Sequence, residues 1–347
     1  MRNQKIFETP FSRAVDIVSW LGAVQAQDYS MAKWAIGLRL SKATVDAIED
    51  ELDAGSIVRT HVLRPTWHFV SAADVRWMLD LTAPRIEKAV GSRRRQLELD
   101  AKTLNRSTKI IARALEGANH LTRTELMAKV ERSGIKRSVE RSTHLMFHAE
   151  LEGVVCNGKR RVKQLTYALM DERVPKPRPL SKDEALATLA LRYFTSHGPA
   201  TLTDFTWWSG LAARDARSAL DFVKADLSAE TVDGQKYWMP LAAEGSSYRR
   251  SIHLLPAFDE FTVSYKDRSA SVSPDLMKIV TVGHAIFRPI IVIDGRVAGI
   301  WARKYSKKGL EITYNLFEKL RDSDGRLLER SEKRYRSFNE PLPKTLT

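Results

Sequence analysis

SVERSTHLMFHAELEGVVCNGKRRVKQLTYAL, residues 138–169, contains the pattern that decides the fold. A helical segment runs into an acid-Leu step. One or two small or acidic residues follow, then a β-branched strand with a turn rich in basic residues or glycine. The same order occurs in VDAIEDELDAGSIVRTHVLRPTWHFV, residues 45–70, and in ARDARSALDFVKADLSAETVDGQKYWMP, residues 213–240. Each copy ends in a predicted hairpin, with turns near Arg64-Pro65, Asn157-Gly158 and Asp233-Gly234. Asn-Gly and Asp-Gly suit tight turns because both residues tolerate positive φ.

The two later copies are each preceded by a short helix. In HLTRTELMAKVERSG, Thr122 stands three residues before Glu125, the spacing of a capping box, and Gly134 is a natural stop. In GPATLTDFTWWSGL, Thr201 or Thr203 is the predicted cap and Gly210 the stop. Helix, turn, helix, hairpin is the winged-helix plan, whose second helix commonly reads DNA. DERVPKPRPLSK, residues 171–182, reads as a linker. From about residue 246 the texture changes. SIHLLPAFDEFTVSY and RPIIVIDGRVAGIWARKYSKKGLEITYNLF alternate at period two, with Asp294-Gly295 as a hairpin turn. The tail SDGRLLERSEKRYRSF reads as a charged amphipathic helix. The expected fold is therefore α+β. Three tandem winged-helix modules (1–115, 116–175 and 176–245) precede an antiparallel, barrel-like β domain with a C-terminal helix (246–347).

Charge narrows the partners. Lys and Arg number 56 against 42 Asp and Glu, a net of +14 over 347 residues. Such a field favours polyanions, and nucleic acid is the first candidate. Residues 76–113 alone carry ten Lys/Arg, including Arg93, Arg94 and Arg95, against four acids. A second knot is Lys159, Arg160, Arg161 and Lys163; Lys136, Arg137 and Arg141 lie at the start of the second reader helix. In the first hairpin, Arg59, His61, Arg64, Thr66 and His68 form an expected polar, cationic wing, with Trp67 and Phe69 turned to the core. Three such modules in one chain point to a monomer on double-stranded DNA. The single cysteine, Cys156, forbids an internal disulfide framework and points to a reducing compartment. No apolar run has the length of a membrane span and no secretory leader is seen, so a cytoplasmic location, on the nucleoid, is expected.

Several chemistries are disfavoured. There is no CxxC, and His144 and His148 share a helix face without a HExxH glutamate, so no metal is expected. Phosphate-cradling and dinucleotide-binding glycine motifs are absent, so no cofactor is expected. Asp259 and Glu260 are adjacent, and on a strand they would face opposite ways, which does not suit a carboxylate pair.

One polar stretch resists a structural reading. In SWLGAVQAQDYS, residues 19–30, Leu21 and Val24 continue a helical spacing from Ile17 that runs into Gln25-Ala26-Gln27-Asp28. On a regular helix the two amides would diverge by roughly 160°. They can act together only if the helix ends or distorts between about Val24 and Asp28.

Taken in order, LGAVQAQDYSMAKWAIGLRL, IVRTHVLRPTWHFVSAADV, HLLPAFDEFTVSYKDRS and PIIVIDGRVAGIWARK resemble the AlkZ/YcaQ-like winged-helix DNA glycosylases. The resemblance covers roughly residues 5–315 and departs at Pro65, where a glycine is expected. It implies a C-shaped fold around a basic channel. It also implies a monofunctional glycosylase that hydrolyses the N-glycosidic bond of N7-alkylated purines and can unhook interstrand crosslinks. By the same resemblance Gln25 and Gln27 orient water and sugar, with Asp28 as an electrostatic helper or the cap of the next helix. Asp259, Tyr265 and Arg268 are then candidates to support them from behind. A non-catalytic winged-helix DNA-binding regulator is the alternative that the residues leave open.

Overall fold

The computed structural model describes residues 1–7, 9–162, 164–241, 249–283, 286–307 and 309–340. Lys163 and the 245/246 boundary lie outside them.

The N-terminal part contains α1 (Ala14–Leu21), β1 (Val24–Gln25), α2 (Tyr29–Gly37), α3 (Val45–Ala54), β2 (Ile57–His61), β3 (Trp67–Ser71) and α4 (Val75–Gln96). Its antiparallel sheet has the order β1-β3-β2, with Gln25 opposite His68 and Thr60 opposite the same residue on the other side. α3 begins where the Thr44 side chain accepts from the Ala47 N–H and ends at Gly55.

Next come α5 (Ala101–Leu115), β4 (Leu121–Thr122), α6 (Arg123–Arg132), α7 (Val139–Leu151), β5 (Val155–Asn157), β6 (Thr166–Leu169) and α8 (Met170–Arg173). The predicted capping box is present: Thr122 accepts from the Glu125 N–H and Glu125 accepts from the Thr122 N–H. Asn157-Gly158 is not the tight turn expected. Strand β6 resumes only at Thr166, and Gly158 is needed for close approach: a Cβ there would lie 2.6 Å from the Thr166 hydroxyl and 2.5 Å from the His120 ring.

The third part holds α9 (Lys182–His197), α10 (Leu202–Ser209), α11 (Ala213–Val223), β7 (Leu227–Val232) and β8 (Gln235–Pro240). Thr201 caps α10 and Gly210 ends it in the left-handed conformation. Asp233 and Gly234 have φ of 49° and 75°, the double positive φ of a tight hairpin turn.

The last part holds β9 (Ile252–Leu255), α12 (Glu260–Val263), α13 (Pro274–Val280), β10 (Thr281–Val282), β11 (Ile286–Phe287), β12 (Ile290–Ile293), β13 (Arg296–Ser306), β14 (Gly309–Leu316) and α14 (Asp324–Asn339). The expected barrel is not closed. Among the described residues β14-β13-β12-β9 form an open antiparallel sheet with β9 and β14 at its edges. The sheet does not need to curl on itself because other elements cover one face. Tyr335 and Phe338 of α14 are buried there, against Trp34 of α2 and Trp301 of β13. The strand expected across 251–265 stops at Leu255. Pro256 follows, and Asp259 caps the short helix α12 by accepting from the Phe261 N–H at 2.9 Å.

One apolar core joins residues from α1, α2 and β3 to residues from β9, β12, β13 and α14. A second core joins β2, β3 and α4 to α9, α10 and α11. A third lies among α5, α6 and α7. The first and second cores meet at β1 and β3, which places residues 24–27 where the two ends of the chain come together.

Candidate active site

The helix does break before the two glutamines, and earlier than the sequence suggested. α1 ends at Leu21, and Gly22 takes a φ of 80°. A side chain at Gly22 would be strained by that φ and would meet the Trp208 ring at 3.3 Å. The chain then runs extended through Val24 and Gln25 and re-enters a helix after Asp28, whose carboxylate accepts from the Met31 N–H at 3.0 Å. Asp28 is thus the cap of α2. In extended backbone, alternate side chains point to opposite sides. Val24 and Ala26 are fully buried, Gln25 is 7% exposed and Gln27 is exposed.

Three charged side chains grip this segment. The Gln25 N–H donates to Glu260 Oε1 at 2.7 Å. Arg64 Nη2 donates to Gln25 Oε1 at 3.1 Å, while its Nη1 donates to the Val263 carbonyl at 3.2 Å. Arg59 donates to the Ala26 carbonyl from Nε at 3.2 Å and from Nη2 at 3.0 Å, and its guanidinium lies 4.4 Å above the Trp67 ring. The Ala26 N–H continues the ladder by donating to the Trp67 carbonyl at 2.7 Å, and the Trp67 N–H donates to Gln27 Oε1 at 3.3 Å. Arg59 and Arg64, expected on a DNA-facing wing, are instead turned onto the glutamine segment.

Glu260 is the residue that sequence reasoning missed. Its side chain is fully buried. Besides the Gln25 N–H it accepts from Trp208 Nε1 at 3.1 Å and from the Ser264 hydroxyl, and His197 Nε2 lies 3.8 Å away. Burial alone would raise its pKa. The facing His197, the Ser264 hydroxyl and the Arg64 charge outweigh burial and hold it at about 2. The strand parity assumed for Asp259-Glu260 hid this role. The usable signal was Asp259 itself, a cap-forming residue just after a proline-containing bend, which turns the backbone so that the two carboxylates serve different partners.

Asp259 pairs with Arg39 in two hydrogen bonds of 2.9 and 2.7 Å, with both side chains fully buried. Tyr265 donates to the His197 carbonyl at 2.6 Å and accepts from Gln4 Nε2 at 3.0 Å. Arg268 donates to the Thr262 carbonyl at 2.6 Å and stacks on Phe287 at 5.0 Å. All three brace the loop that carries Glu260.

The remaining wing residues are interior. His61 is 6% exposed, bonded to Glu150 and packed on Trp67 and Phe147. It therefore ties β2 to α7 and is not on the exposed face expected of it. His68 is fully buried, with Nδ1 2.9 Å from the Thr66 carbonyl, and burial, helped by the Arg64 charge, lowers its pKa to about 3. A neutral imidazole beside that carbonyl carries its proton on Nδ1, so Nε2 is a buried acceptor without a protein partner among the described residues, as the buried Thr66 hydroxyl also lacks one there. His68 belongs to the sheet next to Gln25, with Thr66 in the bend that enters it, and neither belongs to an exposed cationic wing.

The outlying basic residues divide. Arg93 pairs with Glu140, Arg94 is buried against Glu87, Arg137 faces Glu131 at 3.7 Å, and Arg161 pairs with Glu125. Arg141 donates to the Leu97 and Lys136 carbonyls, and Arg160 reaches Glu49 at 2.9 Å and Asp53 at 3.5 Å. Arg95, Lys136 and Lys159 are exposed. Arg94 and Arg160 are thus structural ion pairs. Glu87, His148 and Glu152 bring potential ligand atoms within 4.8 Å of one another, but Glu87 is already engaged by Arg94 and His148.

The chain matches the family described as "DNA glycosylase AlkZ-like" over residues 18–338. It is 26% identical to the "Interstrand DNA cross-link repair glycosylase" of Streptomyces sahachiroi, with 86% of this chain and 85% of that protein aligned. The solved structure of the Streptomyces sahachiroi DNA glycosylase AlkZ superposes with a TM-score of 0.74 at 22% identity, covering 96% of this chain and 93% of that one. A match that spans nearly the whole chain, and includes the clamped glutamine segment, shows that this protein belongs to the AlkZ-like DNA glycosylase family.

Proposed function

We propose that the protein is a monofunctional DNA glycosylase that hydrolyses the N-glycosidic bond of N7-alkylated purines and unhooks interstrand crosslinks built on them. Gln25 and Gln27 are the groups that meet the substrate. The observation that carries this reading is the gripped segment itself. Of two glutamines two residues apart, Gln25 is held by Arg64 and Glu260, Ala26 between them by Arg59, and Gln27 accepts from the Trp67 N–H, an arrangement that a surface loop has no need of. The crosslink reading draws on the relative's name; the N7-alkylpurine reading draws on the chemistry of amides.

An N7-alkylpurine already carries positive charge. When the C1′–N9 bond breaks, its electron pair goes to the base, which leaves neutral and needs no protonating acid. The sugar becomes oxocarbenium-like, a water oxygen bonds to C1′, and the water's proton passes to solvent. Amides suit this chemistry, since they can hold the water and present a carbonyl dipole to the developing cation. With one lone pair of Gln25 Oε1 taken by Arg64, the orientation of that amide is set before substrate arrives.

The helix–helix–hairpin order of α6, α7, β5 and β6, and of α10, α11, β7 and β8, supports winged-helix units as the DNA-binding parts, acting as a monomer around a basic channel. Asp28 acts through the position of α2. The test is release of N7-methylguanine from methylated duplex DNA, with abasic sites as the second readout. Gln25→Ala or Gln27→Ala should lower the single-turnover rate by about 100-fold, the size of a lost transition-state hydrogen bond. Wild-type rates in both variants would overturn the assignment.

A further inference from the structure

We propose that Glu260 is a positioning residue for bond cleavage: its carboxylate anchors the Gln25 main-chain N–H and its negative charge keeps Arg64 docked on the Gln25 side-chain oxygen. The inference rests on the reading of Gln25 as a substrate-facing group.

Glu260 differs from most of the buried acids and shares with Asp204 a set of neutral hydrogen-bond donors. Asp259, next to it, is neutralised by a direct two-bond pair with Arg39. Glu150 is bonded to His61. Glu260 has no guanidinium or ammonium in hydrogen-bond contact among the described residues, although its side chain is fully buried. Its donors are the Gln25 N–H at 2.7 Å, the Trp208 indole at 3.1 Å and the Ser264 hydroxyl. His197 Nε2 stands 3.8 Å off; a buried carboxylate still costs several kcal/mol of desolvation, so a merely structural acceptor would be better served by a neutral group.

What the charge does is shown by Arg64. Among the described residues this cation has no carboxylate in hydrogen-bond contact. Its two terminal nitrogens donate to neutral oxygens, the Gln25 side chain and the Val263 carbonyl. Val263 is the last residue of α12, the same short helix that begins with Glu260. Arg64 is thus bonded to the helix that Glu260 opens, and the Glu260 charge is among those that act on it. Glu260 therefore reaches Gln25 twice. It holds the backbone directly, and it holds the side chain through Arg64. The two contacts restrain the main chain of Gln25 and its side-chain oxygen together.

Glu260→Gln is the decisive variant, because it keeps the shape and an acceptor for the Gln25 N–H but removes the charge. Single-turnover release of N7-methylguanine should fall at least 30-fold while the Kd for the same DNA changes less than threefold. In a Gln25→Ala background the same substitution should cost less than threefold. Retained activity in Glu260→Gln, or an equal loss in both backgrounds, would overturn the proposal. Ser264→Ala, a milder change, covers the case where Glu260→Gln does not fold. It should lower the rate by a smaller factor with DNA affinity unchanged, and an unchanged rate would count against the idea. A wild-type protein that releases no base would sink the functional reading instead. The positioning claim is then decided by the Gln25 amide: its hydrogen exchange should quicken in Glu260→Gln and in Ser264→Ala, and unchanged exchange overturns it.

Discussion

The guanidinium of Arg59 donates to the main-chain carbonyl of Ala26 from two nitrogens, at 3.2 and 3.0 Å. The residue between the glutamines is thus fixed by a side chain of the neighbouring hairpin. A lysine cannot present two donors in one plane or lie flat on Trp67. Arg59→Lys should weaken base release about tenfold, since a charge-assisted hydrogen bond is worth about 1.5–3 kcal/mol and only part of it is lost. The check is single-turnover rate beside DNA affinity; loss of affinity with full rate at saturation would show that Arg59 contacts DNA instead.

Arg39 and Asp259 test how the loop carrying Glu260 is anchored. Both side chains are fully buried and bonded to each other twice. Asp259→Ala strands a buried cation and should cost about 3–5 kcal/mol of unfolding free energy. Chemical denaturation reads this directly. A loss below about 1 kcal/mol would mean that the cation finds water or another partner.

Acid should destabilise the protein through His68. Its folded pKa, about 3, lies below the 6.5 of an exposed histidine because burial disfavours the charged ring. Between those values the unfolded chain binds the proton and the folded one does not. The contribution is therefore whole above about pH 6.5 and is lost as pH falls toward 3. At pH 5 His68 alone accounts for about 2 kcal/mol of lost stability. Urea unfolding at pH 7 and pH 5 measures it, and His68→Gln should show a smaller difference than the parent. An equal difference in both proteins would rule His68 out as the source.

The exposed cations should act on affinity and not on chemistry. Arg95, Lys136 and Lys159 are free of carboxylate partners among the described residues. If all three touch phosphates, replacing them by alanine should reduce the slope of log K against log salt by about 2.7. The rate of base release from saturated enzyme should not change. A slope that stays put in the triple variant would remove these residues from the DNA interface.

Much of this architecture can be read from local chemistry. The capping boxes at Thr122 and Thr201, the Asp233-Gly234 turn and the helix after Ser323 follow from short-range rules, since each depends on residues within one turn of itself. The incompatibility of Gln25 and Gln27 with a regular helix is also local geometry, and the break before them was foreseeable. It falls at Gly22, a local helix stop, and the Trp208 ring, nearly two hundred residues away, packs where a side chain there would project. The open sheet was decided by α14 packing over one face, which removes the need for closure. The partners of the glutamine segment were decided the same way. Arg59 and Arg64 are basic residues that composition assigns to the surface, yet the fold turns both onto main-chain and amide oxygens. Glu260 lies 235 positions from Gln25 and meets it only because the two ends of the chain share a core. Spacing along a chain reports which side chains share a face; a buried charge chooses its partners across the fold, where desolvation makes every available donor count.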